Sequence, residues 1–109
     1  MAALIRLGIT QQDLGQGEAA IATFGRILEL KPEYVDVHYR LAVLHTDRRQ
    51  FEQAVRHMEA ASNLAPGNPQ FRAGLALALQ NMGLMDRVAA TWRSLAQMGK
   101  AAAGEPRAQ

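Results

Sequence analysis

The side chains best suited to acid–base or metal chemistry in this sequence are three imidazoles, His38, His45 and His57, because cysteine is absent altogether. A zinc-binding helix sets two ligands at i and i+4 so that their lone pairs meet one ion. His38 and His45 stand seven residues apart, and no carboxylate lies beside them to complete a site. They read as side chains packed between helices. No catalytic residue, no metal and no cofactor is expected, and the chain is read as a non-enzyme. The lack of thiols also excludes a disulfide framework, thiolate catalysis and sulfur-ligated zinc. The glycines build no phosphate loop, since no Gly-Lys-Ser/Thr occurs. Asp47, Arg48, Arg49 and Glu52 form a mixed charge cluster that reads as a solvated turn. Arg40, Arg48, Arg49 and Arg56 are interleaved with acids, aromatic residues make up 6% of the chain, and the net charge is only +2, so nucleic acid is not an expected partner.

With that chemistry set aside, the elements that would position any site come forward. Displacing the sequence by 34 residues lays like on like along almost the whole chain. Leu7, Leu41 and Leu75 align, as do Gly8, Ala42 and Ala76; Ala20, Ala54 and Val88; and Phe24, Met58 and Trp92. Pro32 and Pro66 close the first two units, and Lys100 stands at the third such place. Within each unit the apolar residues recur at three- and four-residue steps, the spacing of a helix face. Gly15 with Gly17, and Gly83, offer turns between paired helices, and the prolines stop the second helix of a pair. Asn68 before Pro69 is a capped helix start. The reading is six helices near residues 2–14, 18–31, 35–48, 52–65, 69–82 and 86–98, in one domain over 1–102 (units 1–34, 35–68 and 69–102), with a flexible tail at 103–109 and loose chain from Lys100. With 49% hydrophobic and 20% charged residues, the composition fits one folded domain.

These columns resemble the tetratricopeptide repeat, whose order of large apolar, Leu-Gly, aromatic, Ala, aromatic and Pro is matched by Leu4, Leu7, Gly8, Ala20, Phe24 and Pro32. The second unit repeats it with His38, Leu41, Ala42, His45, Ala54, Met58 and Pro66. The resemblance implies an all-α fold of three tandem helix-turn-helix hairpins stacked as a short right-handed superhelix. Small residues in the shared columns let paired helices approach, and Phe24, Met58 and Trp92 are expected to fill the space between successive hairpins. Met58, Met82, Met85 and Met98 read as adaptable core filling. Some positions depart from the pattern. Arg49 replaces a turn glycine, Arg72 takes a large apolar place and Val88 a small one, which makes the third unit the least typical, as suits a terminal repeat.

The first helix of each unit also has a second face, and there it is not polar. Ile5 and Ile9, Tyr39 and Val43, and Ala73 and Leu77 would line up as an apolar stripe edged by Gln12, Asp13, Thr46, Asp47, Gln80 and Asn81. In the family this face resembles the concave wall where peptides or helices bind. The expected partner-binding set is Ile5, Ile9, Gln12, Asp13, Tyr39, Arg40, Val43, Asp47, Ala73, Leu77 and Asn81, holding an unidentified protein or peptide as an adaptor or scaffold would. A second reading keeps Ile9, Val43 and Leu77 as packing between neighbouring first helices. Relatives that grip terminal carboxylates use Lys, Asn and Arg, where this chain has Ile5, Ile9, Arg40, Gln70 and Gly74. Only Arg40 could serve, so apolar anchors are expected instead. The alternative function is a self-assembling scaffold, a homo-oligomer joined through uncovered terminal hairpins. No apolar run suffices to enter a membrane and no export signal is visible, which favours the cytoplasm as an expectation.

Overall fold

The computed structural model describes residues 1–103, all of whose regular structure is helical: α1 (Ala2–Asp13), α2 (Gly17–Leu30), α3 (Val35–Asp47), α4 (Phe51–Leu64), α5 (Pro69–Asn81) and α6 (Met85–Ala103). Each helix packs mainly on its neighbours in sequence, so α1–α2, α3–α4 and α5–α6 are three hairpins in a row. The five helix starts from α2 to α6 fall within a residue of the expected ones. The exception is the end of α6, which runs through Lys100 to Ala103, residues expected to be loose. Lys100 occupies the place where Pro32 and Pro66 stand in the other units, and the run of alanines after it favours helix. The remainder of the expected tail, 104–109, lies outside the described residues.

The three hairpin turns have one design. The amide of Gly15 donates to the Gln12 carbonyl at 3.1 Å and that of Gln16 to Gln11 at 2.8 Å; Arg49 and Gln50 repeat this with Thr46 and His45, and Gly83 and Leu84 with Gln80 and Leu79. This paired closure requires a left-handed residue at its centre. Gly15 and Gly83 supply it at φ 77° and 74°, and Arg49 is forced into it at φ 60°. Gly17 takes no such angle and simply begins α2. Asn68 caps α5 as its sequence indicates, its Oδ1 accepting from the Gln70 amide at 2.9 Å.

The core lies between successive hairpins. Val37, Leu41 and Leu44, on one face of α3, join Ala20, Phe24 and Ile27 of α2 in a single buried cluster. Burying side chains of this size stabilises by roughly 1.5–3 kcal/mol each. Between α4, α5 and α6 the cluster is Val55, Ala78, Leu79 and Val88. Ala20, Ala54 and Ala76 are fully buried, as their close-approach role requires. Trp92 does not fill a gap. It is 43% exposed, whereas Phe24 and Met58 in the same column are buried. Met82 and Met85 are likewise exposed rather than core.

Candidate functional site

Inside the second hairpin the three imidazoles come together. His38 Nδ1 lies 3.1 Å from His57 Nδ1, His38 Nε2 lies 2.7 Å from the Pro32 carbonyl, and His45 stacks on His57 with rings parallel to within 3°. A carbonyl only accepts, so Nε2–H of His38 donates to Pro32; His38 Nδ1 is then the acceptor and His57 Nδ1 the donor. His45 Nδ1 meets Gln50 Oε1 at 2.8 Å. Burial pushes the His57 imidazole down to about 4, and nearby His38, His45 and Arg56 push in the same direction. The repeat register explains the seam: where unit two has His45 and His57, unit one has Gln11 and Thr23, joined by a 2.7 Å hydrogen bond. Among the described residues, no three ligating side chains are grouped to hold a metal ion.

The more open feature lies on the face shared by α1, α3 and α5, and its two joints are built differently. Between α1 and α3, Arg40 reaches across and its Nη1 donates to Gln12 Oε1 at 3.2 Å, while its Nε stands 3.7 Å from the Asp36 carboxylate one turn back. Ile5 and Ile9 lean, half-buried, on the core of the first two hairpins. Between α3 and α5 no such strut exists, because the residue in register with Arg40 is Gly74. A hollow of about 180 Å³ opens there, lined by Tyr39, Val43, Thr46, Asp47, Met58, Gly74, Leu77, Ala78 and Asn81. Its floor is apolar and its far rim, at the C-terminal ends of α3 and α5, is Thr46, Asp47 and Asn81. Tyr39 forms one end, its ring centroid 5.6 Å from that of Phe71 and its hydroxyl accepting from the side-chain Nε2 of Gln70 at 3.5 Å.

The structure therefore brings together five of the residues singled out from sequence, Tyr39, Val43, Asp47, Leu77 and Asn81, in one furrow. Gln12 and Arg40 are engaged with each other in the neighbouring joint. Asp13 is exposed at the end of α1, and Ala73 is half-buried on α5 away from the hollow. Ile5 and Ile9 differ from the expected continuous stripe: the furrow does not extend over them. Sequence reasoning missed Gly74 and Met58. Their signal was present, since Gly74 breaks a column that holds Arg6 and Arg40, and its bare Cα is where the Met58 side chain settles.

Residues 11–63 match the family described as Tetratricopeptide repeat. No curated protein sequence matches the chain. Among solved structures, one described as MamA protein superposes with a TM-score of 0.87 at 22% identity, over 99% of this chain and 60% of that one. Another, MamA 41-end from Desulfovibrio magneticus RS-1, gives a TM-score of 0.78 at 22% identity, over 87% of this chain and 54% of that one. The chain thus spans about 60% of the length of the first of these structures. Likeness at this identity carries the fold, an all-helical repeat array. Among the described residues no helix is long and apolar enough to cross a membrane.

Proposed function

We propose that this chain, whose residues 11–63 match the tetratricopeptide-repeat family, works as an adaptor that docks a peptide segment or helix of a partner protein along the face shared by α1, α3 and α5. The repeat fold is a non-catalytic, protein-interaction fold. What carries the specific reading is the furrow between α3 and α5, an apolar floor with a polar rim into which no described part of the chain folds. Leu77 stands at its edge 57% exposed, a large apolar side chain that the fold itself does not need to bury. The partner's side chains would cover it.

Leu77→Glu tests this without disturbing the core. Affinity capture from a native extract should lose its specific partners in this variant, and a measured affinity for any such partner should fall by about tenfold or more. The double variant Ile9→Glu with Val43→Glu is the harsher control. An identical set of captured proteins with wild type and Leu77→Glu would remove the furrow from the interface.

A second reading, self-association through the last hairpin, is favoured by Trp92 and Met85, which are 43% and 57% exposed on α6. Light scattering over a wide concentration range distinguishes them. A constant monomer mass removes self-association, and a rising mass that Trp92→Ser abolishes supports it.

A further inference from the structure

The two joints of the shared face are the same construction with and without an occupant. In the first, the Arg40 side chain lies across the α1–α3 joint and is 31% exposed, with its head at Gln12 and Asp36. In the second, Gly74 sends no side chain across, the Met58 thioether lies against its Cα, and the residues in register with Gln12 and Asp13 are Thr46 and Asp47, both on the wall of the hollow. No ion pair involves Asp47 among the described residues; the adjacent Arg48 is committed to Glu18 at 3.1 Å. The Thr46 hydroxyl donates to the Ala42 carbonyl at 2.8 Å and keeps its lone pairs.

We infer that the α3–α5 furrow takes an arginine side chain from the partner polypeptide, supplying from outside the strut that Gly74 omits. The aliphatic stem lies on Val43, Met58 and Leu77, beside the Tyr39 ring, and the guanidinium meets the Asp47 carboxylate, with Thr46 Oγ1 and Asn81 Oδ1 as further acceptors. A hollow of about 180 Å³ has room for several waters. An apolar floor holds such waters poorly, and a long side chain that displaces them gains affinity. Guanidinium suits the site better than ammonium because its planar fork pairs with a carboxylate through two bonds. A partner with an acidic residue at this place meets Asp47 directly and is disfavoured. The inference rests on the docking reading above and names what that docking selects.

The test is nitrogen–proton NMR titration of the whole chain with an acetylated, amidated seven-residue peptide carrying one central arginine flanked by leucines. Companion peptides carry citrulline or glutamate at the centre. Citrulline keeps the shape and removes the charge. The arginine peptide should perturb Tyr39, Val43, Leu77 and Asn81 and bind at least about fivefold more tightly than the citrulline peptide, with glutamate weakest. Asp47→Asn, a change at an exposed residue, should erase the preference, and Gly74→Arg should block the furrow from within. Equal binding of all three peptides at the furrow would overturn arginine selection and leave the docking face standing. Shifts elsewhere, or none for any peptide, would overturn both.

Discussion

The Nδ1 atoms of His38 and His57 face each other at 3.1 Å in the second hairpin, and the contact is a hydrogen bond only while one of them is unprotonated. Protonating His57 would place charge on a half-buried ring that is stacked on His45 and close to Arg56. Folding therefore holds His57 neutral, with its pKa at about 4 against 6.5 in the unfolded chain. Between those values the unfolded chain binds more protons, so this contribution is complete above pH 6.5 and is lost as the pH falls toward 4. The full shift would correspond to about 3 kcal/mol, and partial exposure of the ring reduces it to the order of 1–2 kcal/mol. Urea unfolding across that range should show the loss in wild type. His57→Thr, the residue type found at this place in the other two units, should be flatter with pH; parallel curves would refute the assignment.

Arg49 holds the left-handed centre of a turn whose counterparts are Gly15 and Gly83. A side chain in that conformation costs roughly 1–2 kcal/mol, partly offset by the greater freedom glycine has when unfolded. Arg49→Gly should therefore stabilise the chain by about 1 kcal/mol, seen as a higher denaturation midpoint at unchanged slope. Gly83→Ala should do the reverse.

How much of this was legible follows from what each feature depends on. The hairpins were legible because Leu7, Leu41 and Leu75, and the glycines and prolines between them, repeat in chain order and act locally. Tyr39, Val43 and Leu77 were placed on one face by helical spacing alone. The same spacing placed Ile5 and Ile9 there too, and could not reveal that Arg40 closes their joint while Gly74 leaves the next one open. That difference lies in reach between helices, which the spacing along one helix does not carry; only the change from Arg6 and Arg40 to Gly74 down the repeat column marks it. Trp92 differs for a related reason: its column predicts a gap for it to fill, and only the assembled helices show that among the described residues its ring stays 43% exposed.

Phe24, Met58 and Trp92 thus share one column and three environments, with Phe24 0% exposed, Met58 5% and Trp92 43%. Truncation to alanine should cost about 3–5 kcal/mol at Phe24 and about 2–5 kcal/mol at Met58. At Trp92 the loss should stay near 1 kcal/mol, because much of the ring is already in water. Equilibrium unfolding of the three variants measures the ranking. A loss at Trp92 as large as that at Phe24 would mean the last hairpin is covered in solution, and would favour self-association over the isolated array.

Gly8 and Gly74 give the sharpest contrast. A Cβ built on Gly8 would stand 2.6 Å from Phe24 Cε1, an edge of a ring with no exposed surface and nowhere to go. A Cβ on Gly74 would stand 2.8 Å from Met58 Cε, the free end of a flexible chain beside an open furrow. Alanine favours a helix interior over glycine by about 1 kcal/mol in both places. At Gly8 that gain is outweighed by overpacking of about 1–3 kcal/mol, so Gly8→Ala should destabilise. At Gly74 the thioether swings aside, so Gly74→Ala should match or exceed wild-type stability while narrowing the furrow. Thermal or urea unfolding of the pair separates them, and equal destabilisation would show that Met58 is held as rigidly as Phe24.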